Sequence, residues 1–238
     1  MPSKKQDADR RRHLQEKLRR PGAYSPEALL ALVRECIAQC SDCGLCCSAA
    51  PPSAAPLVLG SGPASARLMV VGGPPDSGDA EEGKPFTGAA LQLLEETLRC
   101  TGLGLPDVYF TKAVKHCARA EGEAPTAGTT DEEIAACRQW LEAEMAVVKP
   151  EVVLCLGRRA AQAVLGQSVD PSAGGERVFH PGFVPTVMVT VDPMWVLEQG
   201  TEEAATRAKK DFLLDFHRVA EILGEFDPFR GREALAQL

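Results

Sequence analysis

Four short apolar runs recur along this chain with helical patterns between them, at residues 67–71, 108–114, 152–156 and 186–191. Runs of this length, rich in β-branched residues and bounded by turn formers, read as buried strands. The first runs into Gly72-Gly73-Pro74-Pro75, and the third ends at Gly157, where a helix begins. Helical periodicity covers about 89–101, 130–148 and 158–165, and a last amphipathic helix spans about 201–223. Thr130-Asp131-Glu132-Glu133 opens the second of these as a capping box. Strands alternating with helices predict an α/β three-layer sandwich, with a central, mainly parallel four-stranded sheet flanked by helices. Ligands then bind beyond the carboxyl ends of the strands.

The 238 residues suffice for one sizeable core and are short for two. The expected division is a basic N-terminal arm at 1–24, a domain at 25–225 and a tail at 226–238, with no internal repeat. No apolar run reaches the roughly 18 residues of a membrane span, and no apolar segment follows the basic N-terminus. The expectation is an unsecreted, cytoplasmic protein with no membrane partner. Its net charge of -7 argues against indiscriminate nucleic-acid binding. The first 20 residues nevertheless crowd Lys4, Lys5, Arg10, Arg11, Arg12, Lys17, Arg19 and Arg20. Such an arm suits phosphate contact, or is a solvated tail or polar helix.

Nine cysteines are many for such a chain, and in a reducing compartment clustered thiols hold metal or sit buried. Ser25-Pro26-Glu27 starts a helix that delivers the chain to Cys40-x-x-Cys43. Cys117 follows a strand and Cys137 lies in a helix. Four thiolates from separate elements suit a tetrahedral zinc site or an iron–sulfur cluster. Cys36, Cys46 and Cys47 crowd the same segment, so spacing alone leaves the ligands open. Cys100 and Cys155 fall on apolar stretches and read as buried thiols.

Several motifs in order resemble one family over roughly residues 32–223. Gly72-Gly73-Pro74-Pro75-Asp76 followed by Gly83-Lys84-Pro85-Phe86-Thr87-Gly88 resembles the first motif of the family 4 uracil-DNA glycosylases. Residues 108–115 resemble the V-Y-I-T-N-x-x-K strand, residues 132–137 the EI-x-x-C helix, Leu156-Gly157 the LG turn, and residues 190–194 the T-x-HPS motif. The resemblance implies that Cys40, Cys43, Cys117 and Cys137 bind a structural 4Fe-4S cluster without redox turnover. His116 is inserted before Cys117, and the segment between Cys117 and Cys137 is longer than usual; neither removes a ligand. Zinc is the alternative for the same four sulfurs.

The same resemblance implies a base pocket of Gly72, Gly73, Pro75, Phe86 and Lys112, with Phe86 stacking on a flipped base. Where the family has asparagine, this chain has Lys112, which offers donors only. Uracil's N3–H then loses its partner, at about 1–3 kcal/mol, so the expected substrate is not simply uracil. Alternatively Lys112 points out to solvent or phosphate. The family's water-holding glutamate is Gly73 here, and its HPS histidine is Asp192. Candidate catalytic carboxylates are therefore Asp192, Asp76 and Asp79, although Asp192-Pro193 is also an ordinary turn pairing. His180-Pro181 reads as a loop that also has room to bring a histidine back to the pocket. The expectation is a divergent, monomeric DNA glycosylase that hydrolyses the N-glycosidic bond of a damaged or deaminated base. The alternatives are a catalytically silent nucleic-acid-binding module keeping the fold and cluster, and an enzyme acting on a free nucleoside or nucleotide.

Overall fold

Each of the main strands is buried at all five positions, because helices cover both faces of the sheet they form. They are β1 (Leu68–Gly72), β2 (Val108–Lys112), β3 (Val152–Leu156) and β5 (Thr186–Thr190). In this computed structural model the described residues are 4–20, 22–40, 42–43, 56–117, 129–171, 178–180 and 186–225. Cys46, Cys47, Pro181 and the tail at 226–238 lie outside them. The strand order is β2-β1-β3-β5-β4, with the first four parallel. The fifth strand, β4 (Val178–Phe179), runs antiparallel to β5 at the sheet edge. Two half-buried residues carry no period, which is why the sequence does not show it.

Alternation along the strands divides the core in two. Met69, Val71, Val153 and Val189 face α1 (Lys4–Leu18), α2 (Pro26–Ala38), α5 (Asp131–Val148) and α6 (Arg158–Leu165). Leu68, Val70, Leu154 and Met188 face α4 (Gly88–Thr101), α7 (Pro193–Leu197) and α8 (Glu202–Ile222). A short helix, α3 (Ser77–Glu82), follows β1. The expected caps are present: Ser25 accepts from the Ala28 amide, and Thr130 and Glu133 form a reciprocal capping box.

The basic segment is helical over Lys4–Leu18 and docks through Leu14, which is 3 % exposed, against the α2 side of the core. Arg11 pairs with Asp42 in the loop after α2. Among the described residues no helix is long and apolar enough to cross a membrane.

Candidate active site at the carboxyl ends of the strands

The chain passes from β1 to β2 on one side, then crosses over to β3 on the other. That reversal opens a crevice between the ends of β1 and β3, the usual ligand position of a parallel sheet. Gly72 closes β1 on one wall of this crevice. A Cβ there would lie 2.7 Å from Phe86 Cζ and 3.0 Å from Lys112 Cδ, so only glycine lets the ring and the lysine pack onto the strand end. Phe86 is 4 % exposed and packs edge-on to Phe110, with centroids 5.7 Å apart.

Lys112, the last residue of β2, is buried and turned inward, not out to solvent. Its Nζ stands 4.4 Å from the Phe86 ring centroid and 2.7 Å from Asp79 Oδ2. Asp79 is 1 % exposed. Its carboxylate also accepts from Thr87 Oγ1 and from the Asp76 amide, while Asp76 Oδ1 accepts from the Asp79 amide at 2.8 Å. Asp76 and Asp79 thus form the capping box that starts α3. Burial pushes the Asp79 carboxyl above its ordinary range, and the Lys112 charge opposes that rise.

Across the crevice Asp192 caps α7, its Oδ1 accepting from the Met194 amide at 2.8 Å. It sits over Gly157, whose φ of 84° and 3.4 Å approach to Asp192 Cβ require glycine. Burial raises the Asp192 carboxyl; the α7 amide of Met194 and the charge of Lys112 pull it back. A cavity of about 230 Å³ opens here, lined by Gly157, Arg158, Asp170, Val191, Asp192 and Trp195. Met194 and Trp195 are exposed beside it, at 37 % and 45 %. The structure therefore brings Gly72, Gly73, Pro75, Asp76, Asp79, Phe86 and Lys112 to one wall and Asp192 to the facing one. His180 does not join them. It follows β4 and faces Thr186 at the opposite, amino-terminal end of β5, with Nδ1 3.5 Å from the Thr186 hydroxyl.

The motif reading did not anticipate a sealed polar cluster beneath the pocket. Lys115 Nζ donates to Glu144 Oε2 at 2.7 Å, to Thr111 Oγ1 and to the Lys112 carbonyl, and the Thr111 and Tyr109 hydroxyls donate to Glu144. Lys115 and Glu144 are both fully buried. The cluster ties α5 to β2 and sets the turn that carries His116 and Cys117. A glutamate inside an otherwise apolar helical face was the available signal.

The four predicted ligand cysteines share a neighbourhood around that turn. Cys40 Sγ accepts from Trp140 Nε1 at 3.2 Å, and the Asp42 amide also favours its thiolate. Cys43 Sγ lies 3.7 Å from His116 Nδ1. Burial pushes the Cys137 thiol up to about 12; the Lys115 charge opposes this, and Cys43 and Cys40 lie close enough to add to it. Cys117 is buried with its Sγ 3.6 Å from the Pro75 carbonyl. Among the described residues no three His, Cys, Asp or Glu side chains stand grouped as metal ligands. The donor chemistry is still that of a sulfur-ligated group: Cys40 and Cys43 of the loop after α2 lie near Cys137 of α5, with N–H donors aimed at the Cys40 and Cys137 sulfurs, while Cys117 faces the Pro75 carbonyl.

The sequence pattern of the uracil DNA glycosylase superfamily matches residues 59–216, two thirds of the chain. The chain belongs to that superfamily. Its similarity extends to the type-4 uracil-DNA glycosylase of Thermotoga maritima, 31 % identical over 175 residues that cover 68 % of this chain and 85 % of that protein. The type-4 uracil-DNA glycosylase of Archaeoglobus fulgidus is 36 % identical over 138 residues, 58 % of this chain and 64 % of the relative. A type-5 uracil-DNA glycosylase of Thermus thermophilus is 35 % identical over 146 residues, 52 % of this chain and 64 % of the relative. In this superfamily member, both walls of the crevice fall inside the matched region, whereas Cys40 and Cys43 precede it.

Proposed function

We propose that this chain is a DNA glycosylase that hydrolyses the N-glycosidic bond of a damaged or deaminated base, drawn out of the duplex into the crevice. The observation that carries the reading is the gathering of Phe86 and Lys112 on the end of β1 and β2, in a member of a glycosylase superfamily. A ring and an ammonium on the wall of a crevice recognise the face and the acceptor edge of a base. Exposed Met194 and Trp195 at the rim suit apolar contact with unstacked nucleotides, and DNA is the partner the reading requires.

Breaking the bond leaves positive charge on the sugar and negative charge on the departing base. The Lys112 ammonium stabilises the base anion, an interaction of a kind worth about 10²–10³ in kcat. Asp192, on the facing wall, stabilises the sugar cation or takes a proton from the attacking water. Asp76 and Asp79 hold Lys112 in place. Because Lys112 has no acceptor for an N–H, the preferred base presents acceptors along its edge. Cys40, Cys43, Cys117 and Cys137 would hold a 4Fe-4S cluster, which when bound supplies a structural tie between the loop after α2, the turn after β2 and α5. The protein acts as a monomer.

The test incubates the protein with duplexes carrying uracil, hypoxanthine, xanthine and other lesions and detects abasic sites. Cleavage of an acceptor-rich base in preference to uracil is expected; uracil cleaved as the preferred base contradicts the role given to Lys112. A second reading, a catalytically silent nucleic-acid-binding module, is favoured by the engagement of Asp192 as the α7 cap and of Asp79 with Lys112. Retained DNA affinity with no lesion cleaved would select it.

A further inference from the structure

A primary amine held inside a nucleotide crevice is able to form a bond as well as to carry a charge. We propose that the chain is also a lyase on abasic sites in DNA, with Lys112 Nζ as the nucleophile and Asp79 as the group that takes and returns its proton. The proposal rests on the reading above only in that the crevice admits an extruded nucleotide of DNA.

Three observations carry it. Lys112 Nζ and Asp79 Oδ2 are 2.7 Å apart, so a proton passes between them without rearrangement. Both side chains are withdrawn from water, at 9 % and 1 % exposure, so no solvent stands between the amine and the carboxylate that takes its proton. Burial itself makes the Asp79 carboxylate a better proton acceptor. Finally, the ammonium lies 4.4 Å from the Phe86 centroid, over the ring face on which an intact base would stack. An abasic nucleotide has no base to contest that space and meets Lys112 where it rests, whereas an intact base stacks on Phe86 once the ammonium has moved to its edge. Lys115 makes the contrast: it too has a carboxylate at 2.7 Å, but it is fully enclosed and spent on Glu144, Thr111 and a carbonyl.

The chemistry balances without an added oxidant or reductant. In its open-chain form the abasic sugar carries an aldehyde at C1′. With one proton passed to Asp79, the Nζ lone pair adds to C1′; the resulting hydroxyl leaves as water with the proton that Asp79 returns, giving a protonated imine on Lys112. Loss of the C2′ proton to the Asp79 carboxylate lets the C3′–O bond break, and the phosphate departs with the bonding pair. Water then hydrolyses the imine, freeing Lys112 as its ammonium and leaving an unsaturated aldehyde on the upstream strand, while Asp79 gives up the C2′ proton to the departing phosphate.

The experiment mixes the full chain with a duplex containing a natural abasic site, and in parallel with one containing a tetrahydrofuran analogue that lacks the aldehyde. Sodium borohydride is added to reduce the imine to a stable secondary amine. The expected result is a covalent adduct with the natural site only, mapped by peptide mass to Lys112. Lys112→Arg should bring the adduct to the level seen without borohydride, and Asp79→Asn should slow its formation about 100-fold and change its pH profile. No adduct despite binding of the tetrahydrofuran duplex overturns the lyase and leaves the DNA reading standing; no binding of either duplex overturns both. An adduct that maps to another lysine or to the terminal amine also overturns it, and this map on the unmodified chain decides the matter even if a variant fails to fold.

Discussion

Cys117 Sγ lies 3.6 Å from the carbonyl oxygen of Pro75, so its thiol donates into the turn that leaves β1. A predicted sulfur ligand therefore backs the crevice wall that Pro75 belongs to. If the cluster is held as proposed, Cys137→Ser should lose most of the protein's iron, about four per chain for a 4Fe-4S group. Cys155→Ser, at the penultimate position of β3, should keep it. Iron and sulfide analysis of the purified variants checks this.

Removing the cation beside Asp79 leaves a carboxylate sealed from water. Lys112→Met should destabilise the fold by about 3 kcal/mol near neutral pH. Folded Asp79 already holds its proton more tightly than an unfolded one. Such a group contributes less stability as pH rises from the unfolded value, near 4, through the folded value. Without Lys112 to oppose the rise, that window extends upward. Urea denaturation should show a deficit larger near pH 8 than near pH 5; a deficit independent of pH would contradict the assignment.

Gly72→Ala tests the close packing of the crevice wall. Its Cβ would meet Phe86 Cζ at 2.7 Å, and the ring must move. The expected cost is about 1–3 kcal/mol from overpacking, with a loss of lesion affinity out of proportion to it. Denaturation and DNA-binding titrations on the same preparation separate the two effects.

Asp192 has a structural role that an amide would preserve. Asp192→Ala should cost about 1 kcal/mol through the lost α7 cap, whereas Asp192→Asn caps nearly as well. Activity on a cleaved lesion should fall in both variants. Unchanged turnover in Asp192→Asn would reduce this residue to a cap.

The enclosed Lys115–Glu144 pair predicts strong non-additivity. Glu144→Gln or Lys115→Met alone should each cost about 3–5 kcal/mol, because the surviving charge is stranded. The combined variant should cost clearly less than their sum, as a double-mutant cycle in chemical denaturation would show.

Much of this molecule is written in local pattern. The four buried strands, the capping boxes and the helices at 131–148 and 158–165 follow from periodicity and turn chemistry, which act within a few residues of one another. The ordered motifs also single out Gly72, Phe86, Lys112 and Asp192, which the fold sets around the crevice. The direction of Lys112 was not legible, since solvent and pocket are equally open to a lysine at a strand end; its turn inward depends on Asp79, 33 positions earlier in the chain and delivered by the α3 cap. The same holds for the two-residue strand β4, for the exclusion of His180 from the crevice, and for the Lys115–Glu144 cluster joining β2 to α5. Propensity and spacing determined the elements and their order. Which charges meet was decided only when packing removed water from residues remote in sequence, because a buried charge must find its partner wherever the fold supplies one.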